Sequence, residues 1–293
     1  MEVIMKPVRK VVIPVAGHGT RVLPATKATP KELLPLVDRP LIDYVVREAF
    51  DAGIEHAVLV TGRGKSAIED YFDHAFELEA GLKLKKKTTI LESVEGVIPK
   101  AGAISYTRQQ APLGLGHAIW CARDIIGNEP FAISLPDVVI DAAPSAMTQM
   151  VDHYNAKGGN IIAVEEVPKS ETNKYGVVAP KGERNGPLFE MSGMVEKPDP
   201  AVAPSNLAIT GRYILQPEVF SLLETTPRGA GGEIQLTDAM DELMKTQAFY
   251  AYEYDGQSHD CGDKLSWMKA NVVMGLKHPE FKDNFSAFLK DQL

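Results

Sequence analysis

The sequence of 293 residues contains little cysteine, with Cys121 and Cys261 as its two thiols. They do not lie in a metal-binding spacing, and a chain of this length needs no disulfide to stabilise its core. We therefore expect both thiols to be reduced and buried. The seven histidines are scattered without a His-x-x-x-His pair, which argues against a zinc site.

The chain also lacks long apolar runs and an excess of positive charge. No stretch approaches the roughly 20 apolar residues that span a bilayer, and residues 1–10 contain no apolar core of a signal peptide. We expect a cytoplasmic protein with no membrane partner. The net charge of −8 argues against a nucleic-acid groove, which needs a basic face, but not against a nucleotide, which needs a few local cations.

The composition is that of a globular protein, 44% hydrophobic and 24% charged. An apolar, β-branched run at 10–16 predicts a strand buried on both faces. A helix at 41–52 and a second buried strand at 56–61 follow. This alternation is typical of a doubly wound α/β fold. We predict a Rossmann-like mixed, mainly parallel sheet flanked by helices.

The remaining elements are predicted from periodicity. Further strands are predicted at 103–107, 131–135, 160–165, 175–179, 190–196 and 207–215. Further helices are predicted at 66–87, 115–126, 145–156, 217–224, 234–245 and 264–276. The basic run at 83–87 is interpreted as a solvated helix end.

A glycine-rich loop follows the first strand. Gly17 and Gly19 let the backbone approach a ligand closely, and their N–H groups can cradle anionic oxygens. Arg21 and Lys31 supply cations for the phosphates of a nucleoside triphosphate. The loop fits neither G-x-G-x-x-G nor the P-loop pattern. By composition alone, it is either a phosphate cradle or a glycine turn without a ligand.

The complete sequence of the loop is more specific than its composition. Pro14-Val-Ala-Gly-x-Gly-Thr-Arg-x-Leu-Pro-Ala-Thr-Lys-Ala-x-Pro-Lys-Glu-x-Leu-Pro35 resembles the signature of bacterial UTP–glucose-1-phosphate uridylyltransferases, and sugar-nucleotide pyrophosphorylases share a looser form of it. The resemblance extends over nearly the whole chain. It includes Leu113-Gly-Leu-Gly-His-Ala118, Leu135-Pro-Asp-Val138, Val195-Glu-Lys-Pro198, Gly211-Arg-Tyr213, Glu233-Ile-Gln-Leu-Thr-Asp238 and His259-Asp-Cys-Gly262.

The resemblance implies the nucleotide-diphospho-sugar transferase fold. It also implies transfer of uridylyl from UTP to glucose 1-phosphate, giving UDP-glucose and pyrophosphate with Mg²⁺ as cofactor. The implied nucleotide-binding residues are Ala16, Gly17, Gly19, Thr20, Glu32, Gln109 and Gly114. The implied charge-stabilising catalytic residues are Arg21, Lys31 and Lys197. The implied sugar-binding residues are Gly176, Glu196, Gly211 and Glu233, and the implied metal ligands are Asp137 and Asp260.

Two of these roles have a chemical basis of their own, and a third residue has a structural alternative. The amide of Gln109 offers a donor and an acceptor to the edge of uracil. Asp137 follows a predicted buried strand, at the sheet edge where α/β proteins bind ligands. Asp260 lies two residues before Gly262, so its alternative role is that of a structural turn aspartate.

The dipeptide Glu196-Lys197 also has two interpretations. Neighbours on a strand point to opposite faces, so a bend, which Pro198 could help to set, is needed for both side chains to reach one ligand. The alternative is a solvated ion pair of little energetic value.

We predict a single nucleotidyltransferase domain over 1–293. It has a nucleotide-binding half at about 8–165, a sugar-phosphate-binding half at about 166–278 that completes the same sheet, and a C-terminal helix at 279–293. The family resemblance implies a homodimer or homotetramer.

A phosphate monoester is already largely dianionic at neutral pH, since its second pKa is about 6, so the implied reaction needs no general base. This agrees with the lack of a catalytic triad pattern.

Two other functions remain open. A related enzyme could use dTTP, because thymine and uracil share their hydrogen-bonding edge. A regulatory paralogue would bind without catalysis, but a paralogue of that kind has lost the Thr-Arg pair that is present here as Thr20 and Arg21. His18, which stands where the family often has leucine, faces either solvent or the phosphates.

Overall fold

The computed structural model describes residues 5–292, so residues 1–4 of the segment examined for a signal peptide lie outside the described part. The strands are β1 Lys10–Pro14, β2 Pro35–Leu36, β3 Arg39–Pro40, β4 His56–Thr61, β5 Ile104–Arg108, β6 Phe131–Ser134, β7 Val138–Asp141, β8 Asn160–Glu166, β9 Gly176–Pro180, β10 Leu188–Glu196, β11 Leu207–Leu215, β12 Phe249–Glu253 and β13 Gln257–Asp260. The helices are α1 Leu41–Asp51, α2 Ser66–Tyr71, α3 Phe76–Leu84, α4 Thr88–Glu95, α5 Leu115–Trp120, α6 Arg123–Ile126, α7 Ala146–Lys157, α8 Val219–Thr225, α9 Leu236–Met244, α10 Lys264–Lys277 and α11 Lys282–Gln292.

The central sheet has nine strands in the order β5-β4-β1-β6-β11-β8-β12-β10-β9. Strands β10 and β11 run against the direction of the other strands. The predicted Rossmann-like mixed, mainly parallel sheet is therefore confirmed. Strands from both halves of the chain belong to this one sheet.

Two apolar layers cover the two faces of the sheet. In β1, Val12 belongs to the layer that includes residues of α5, α6, α8 and α9, whereas Val11 and Ile13 belong to the layer that includes residues of α1, α2 and α7. Alternate side chains of a strand point to opposite faces, so a strand between two helical layers must be apolar throughout. This explains the continuous apolar run that begins the fold.

Two long predicted helices are interrupted. The helix predicted at 66–87 is wrong as a single element, because a turn after Phe72 separates α2 from α3. The carboxylate of Glu79 accepts the backbone N–H of Ala75 at 2.9 Å, which satisfies the start of α3. The helix predicted at 115–126 is also divided. Between α5 and α6 the backbone tightens into 3₁₀ geometry, in which the N–H of Ala122 donates to the Ile119 carbonyl and the N–H of Ile125 donates to the Ala122 carbonyl.

Several elements were not predicted. The missed strand β12, whose aromatic-rich sequence could have revealed it, lies between β8 and β10 in the sheet. The short strands β7 and β13 and helix α4 were also missed. α11 lies within the segment predicted as the C-terminal helix.

The two cysteines are free thiols. Cys261 is buried as expected, but Cys121 is partly exposed, so the expectation that both are buried is wrong for Cys121. Within residues 5–292, no helix combines the length and the apolar character that crossing a membrane requires.

Candidate active site

A cavity of about 850 Å³ lies beside the ends of the central strands. Its wall includes two glycines predicted as sugar-binding, Gly176 and Gly211. The predicted charged residues that line it are Arg21, Asp137, Glu196, Lys197, Glu233 and Asp260. The structure thus brings together residues from distant parts of the chain, all of which the sequence analysis assigned to the two substrates or the metal.

The glycine-rich loop folds back over Lys31. Gly19 has a left-handed backbone with φ 64°, and a Cβ atom there would lie 3.0 Å from Cβ of Lys31. The hydroxyl of Thr26 donates to the Gly19 carbonyl at 2.8 Å, which fixes the turn. A Cβ atom on Gly17 would lie 3.8 Å from Cε of Lys31. Glycine is needed at position 19 because both the φ angle and the close contact disfavour a side chain.

Other backbone positions of the loop remain accessible. Gly17 and Thr20 are exposed, and Ala16 is partly exposed at the end of β1. Thr20 begins a 3₁₀ turn that carries the exposed Arg21, and His18 is also exposed. The loop is therefore largely open to solvent, while the Lys31 side chain packs against Gly17 and Gly19.

Asp137 lies between two cations. Its Oδ2 atom accepts from Nζ of Lys31 at 2.6 Å, and Nη2 of Arg21 is 3.7 Å away. Burial raises the pKa of Asp137, but Lys31 and Arg21 outweigh burial and hold that pKa below its usual value. Burial likewise lowers the pKa of Lys31, but Asp137 and Glu32 outweigh it and raise that pKa. Both groups are therefore ionised at neutral pH.

Asp260 is brought next to Asp137 by a pair of short strands. Strands β7 and β13 are antiparallel, with Asp260 opposite Val138, and the N–H of Cys261 donates to the Asp137 carbonyl at 2.7 Å. Burial raises the pKa of Asp260, and the nearby charge of Asp137 raises it further, although the N–H of Gly262 opposes this. Two neighbouring carboxylates that repel each other form an arrangement that a bound cation would stabilise.

The donor set is compatible with magnesium. Among the described residues, no group of three or more His, Cys, Asp or Glu side chains could hold a metal ion. Mg²⁺ commonly binds through one or two carboxylates together with substrate phosphates and water. Asp137 and Asp260 fit that pattern, in which the remaining oxygens would come from a phosphate substrate and water.

The backbone bends at Lys197. This residue has φ 47°, and its N–H donates to the Tyr175 carbonyl at 2.9 Å. The bend lets Glu196 and Lys197 face the same cavity, with Nζ of Lys197 3.4 Å from Oε1 of Glu196. The expectation of a bend is met, but the unusual backbone angle belongs to Lys197 itself. Non-glycine residues in this region cost about 1–3 kcal/mol and cluster at functional sites.

The glycines beside these side chains leave room in the cavity. Gly176 pairs with Glu196 across β9 and β10, and a Cβ atom there would lie 3.3 Å from Oε2 of Glu196. Gly211 has φ 74° in the irregular part of β11, where a Cβ atom would lie 2.9 Å from Cβ of Leu135.

Gln109 and Gly114 form a unit at the end of β5. Nε2 of Gln109 donates to the Gly114 carbonyl at 3.0 Å. Gly114 has φ 98°, and a Cβ atom there would come within 2.6 Å of Cβ of Glu233. The N–H of Ile234 donates to the Leu113 carbonyl at 2.7 Å. The loop that holds Gln109 is therefore joined to the segment that holds Glu233.

Comparison with known proteins supports the resemblance. The sequence profile described as nucleotidyl transferase matches residues 10–274. The UTP–glucose-1-phosphate uridylyltransferase of Staphylococcus epidermidis is 48% identical over 286 residues, which cover 98% of this chain and 99% of that protein. The chain belongs to the nucleotidyl transferase family. The family predicted from the sequence is confirmed. The protein is a nucleotidyltransferase of the UTP–glucose-1-phosphate uridylyltransferase type.

Solved structures agree with this nucleotidyl transferase in fold. The UTP-bound UGPase of Acinetobacter baumannii has a TM-score of 0.90 and 44% identity, covering 96% of this chain and 98% of that chain. A UDP-glucose pyrophosphorylase complexed with UDP-glucose has a TM-score of 0.85 and 42% identity, covering 92% of this chain and 100% of that chain.

Glu32 has a different contact in this nucleotidyl transferase from the one implied by the motif. The motif placed it among the nucleotide-binding residues, but its side chain is buried and its Oε2 atom lies 2.7 Å from Nζ of Lys65. Lys65, which the sequence analysis did not use, is buried too. The Glu32–Lys65 pair therefore lies inside the protein and joins the 3₁₀ turn that carries Lys31 to the start of α2.

Arg212 is the main residue that sequence reasoning missed. Its guanidinium donates to the carbonyls of Leu135 at 3.1 Å and Val138 at 2.7 Å, which flank Asp137. The signal was present, because an arginine inside the buried strand β11 must have partners. Arg212 holds the turn that presents Asp137 to the cavity.

Proposed function

We propose that this nucleotidyl transferase transfers the uridylyl group of UTP to glucose 1-phosphate, which forms UDP-glucose and pyrophosphate. The observation that carries the proposal is that Arg21 and Asp137, which is paired with Lys31, line the same cavity as Glu196 and Lys197. The names of the relatives and the UTP and UDP-glucose ligands of the similar structures support the same reaction.

The chemistry is a single displacement. A phosphate oxygen of glucose 1-phosphate attacks the α-phosphorus of UTP, and the bond from that phosphorus to the bridging oxygen of the β-phosphate breaks. Pyrophosphate leaves with the electron pair of the broken bond. The attacking monoester is largely ionised at neutral pH, since its second pKa is about 6, so no side chain has to remove a proton. The protein must instead bring two anions together in line.

We assign the triphosphate to the glycine-rich loop. The backbone of Ala16, Gly17, Gly19 and Thr20 would bind base and phosphates, because these residues are exposed or partly exposed just after a buried strand. Arg21 and Lys31 offset the phosphate charge. Gln109 and Gly114 contact the uracil at the end of β5, and Glu32 acts indirectly through the charge it provides near Lys31.

We assign glucose 1-phosphate to the part of the cavity that Glu196 and Lys197 line. Lys197 is exposed enough to pair with the sugar phosphate, and Glu196 accepts hydrogen bonds from sugar hydroxyls. Gly176 and Gly211 leave space for the sugar ring, and Glu233 completes the pocket.

Asp137 and Asp260 would hold Mg²⁺. Such an ion supplies positive charge that neutralises the phosphates and fixes their orientation. Arg21 lies near both carboxylates. Its Nη2 atom is 3.7 Å from Oδ2 of Asp137, and its positive charge acts to lower the pKa of Asp260.

We also propose a cytoplasmic homodimer or homotetramer. Leu265, Met268, Val272 and Leu276 are exposed and recur at helical spacing along α10. An apolar stripe of this kind is typical of a helix that packs against another surface. Light scattering on the purified protein tests this assembly, and a monomer at micromolar concentration would contradict it.

The experiment is pyrophosphate release by purified protein with UTP, glucose 1-phosphate and Mg²⁺, with UDP-glucose identified by chromatography. Parallel reactions with dTTP establish whether thymidylyl transfer competes. Lys31→Ala should lose most activity, whereas Lys27→Ala, which removes an exposed lysine of the same loop, should retain it. Absence of pyrophosphate release by the folded protein would favour a binding protein without catalysis.

A further inference from the structure

Contacts within the protein hold Gln109 in place at the end of β5. Its backbone N–H donates to the Thr61 carbonyl at 2.9 Å, which anchors it to the neighbouring strand β4. Its side-chain amide then lies between the Gly114 carbonyl and the ring of His117 in α5. These contacts determine the orientation of the amide.

The Gly114 carbonyl determines which end of the amide faces it. A carbonyl oxygen only accepts hydrogen bonds, so the Gln109 atom 3.0 Å away must be the nitrogen Nε2. The same Nε2 atom lies 3.1 Å from Nδ1 of His117. An amide nitrogen donates and does not accept, so Nδ1 must be the unprotonated acceptor and the ring proton must lie on Nε2 of His117.

The surroundings of His117 favour this neutral ring. Burial lowers the pKa of His117, and the positive charge of Arg228 lowers it further. The indole of Trp120 stacks on the imidazole with the ring centroids 5.9 Å apart. The thiol of Cys121 lies 4.0 Å from both ring nitrogens.

The consequence concerns the other end of the amide. Both hydrogens of Gln109 Nε2 are used by Gly114 and His117, and among the described residues Oε1 has no hydrogen-bond partner. Gln109 therefore offers an acceptor, and no donor, to a base bound at this edge. Uracil has an N3–H that can donate to such an acceptor. Cytosine has an unprotonated N3, which would place two acceptors against each other.

We propose that His117 is a positioning residue that fixes the Gln109 amide, so that the site selects a pyrimidine with an N3–H over cytosine. This inference rests on the proposed function, since it assumes that the base lies against Gln109. It narrows the expectation from the sequence, in which the amide provides both a donor and an acceptor to uracil.

The kinetic test compares UTP with CTP as substrates at saturating glucose 1-phosphate. His117→Phe removes both ring nitrogens but keeps an aromatic ring against Trp120, and His117→Asn restores an acceptor near the position of Nδ1. Cys121→Ser, which alters the other neighbour of the ring, is the control. Loss of one buried hydrogen bond corresponds to roughly a tenfold to hundredfold change.

We expect His117→Phe to reduce the UTP-to-CTP ratio of kcat/KM by about tenfold or more, chiefly through a higher KM for UTP. His117→Asn should retain most of the ratio, and Cys121→Ser should match the wild type. An unchanged ratio and KM in folded His117→Phe would overturn the inference. If the wild type itself releases no pyrophosphate from UTP, the proposed function fails instead.

A second measurement does not depend on enzyme activity. In wild-type protein with ¹⁵N-labelled histidine, the His117 ring nitrogens should show the tautomer with the proton on Nε2 at neutral pH. His117→Asn identifies the resonance by its disappearance. A proton on Nδ1 of His117 would refute the deduced orientation of Gln109, whatever the enzyme assay shows.

Discussion

Arg212 and Glu48 form a buried ion pair beneath the cavity, with Nη2 of Arg212 2.7 Å from Oε2 of Glu48. The pair joins β11 to α1, and the other oxygen of Glu48 accepts the N–H of Met147 at the start of α7. Since the same guanidinium binds the carbonyls that flank Asp137, the position of the candidate metal ligand depends on three separate elements.

Glu48→Ala should strongly destabilise the protein. It leaves the charge of Arg212 buried without its partner, which typically costs about 3–5 kcal/mol. Urea unfolding followed by circular dichroism measures the loss. Glu55→Ala breaks the exposed pair with Arg9 and should cost less than about 1 kcal/mol. Equal losses in the two variants would contradict the importance of burial.

Asp137→Asn should lower turnover by about a hundredfold or more, because it removes the carboxylate that Lys31 and Arg21 surround. The rate of UDP-glucose formation measures this effect. Asp141→Asn is the control, since Asp141 lies at the end of β7 and pairs with Lys277 instead. Near wild-type turnover by purified Asp137→Asn would remove Asp137 from the mechanism.

Removal of divalent cations with EDTA should abolish activity, and added Mg²⁺ should restore it. If Asp260 is a ligand, Asp260→Asn should need a higher Mg²⁺ concentration for half-maximal rate than the wild type. A Mg²⁺ titration of both proteins decides the matter. If Asp260→Asn and the wild type need the same Mg²⁺ concentration for half-maximal rate, Asp260 is a turn residue that accepts the Gly262 N–H and not a metal ligand.

Lys197→Ala should also lower turnover at least about a hundredfold, since it removes the cation assigned to the sugar phosphate. Initial rates at varied glucose 1-phosphate separate kcat from KM. The matched control is Lys181→Ala, which removes an exposed lysine that pairs with Glu190. If the two variants behave alike, Lys197 has no special role.

Asp263 caps the N-terminus of α10, where its Oδ1 atom accepts the N–H groups of Leu265 at 2.9 Å and Ser266 at 3.0 Å. Asp263→Ala should cost about 0.5–2 kcal/mol, whereas Asp263→Asn should retain much of the stability at neutral pH.

The stability that Asp263 provides should depend on pH in a defined direction. The backbone N–H of Ser266 makes the largest contribution to lowering the pKa of Asp263, partly against burial. The stability that the Asp263 charge contributes is therefore fully present above the pKa of the unfolded state, about 3.9. It is lost as the pH falls through the lower pKa of the folded state. Thermal melts of the wild type and Asp263→Asn between neutral and acidic pH should converge as the carboxylate is protonated. A difference in melting temperature between the two proteins that stays the same at every pH would contradict this role of the Asp263 charge.

Much of the fold could be predicted because its signals are local. The apolar run of β1 shows that this strand is buried on both faces, since no polar side chain interrupts it. The glycines that follow β1 are likewise a local signal of a turn, whereas the phosphate-binding role of the loop is implied by its resemblance to the family. The boundaries of short or broken elements, such as the turn between α2 and α3, depend on weak local preferences and were less predictable.

The sequence by itself determined the α/β class, the glycine-rich loop with Lys31, and the family. Only the tertiary structure decided that Asp260 lies beside Asp137, because the pairing of β7 with β13 joins segments that are far apart in the chain. It also decided that Glu32 pairs with Lys65 and that Gln109 presents its carbonyl oxygen. Such choices depend on which donors and acceptors meet after folding, and that geometry is set by the sum of many long-range contacts.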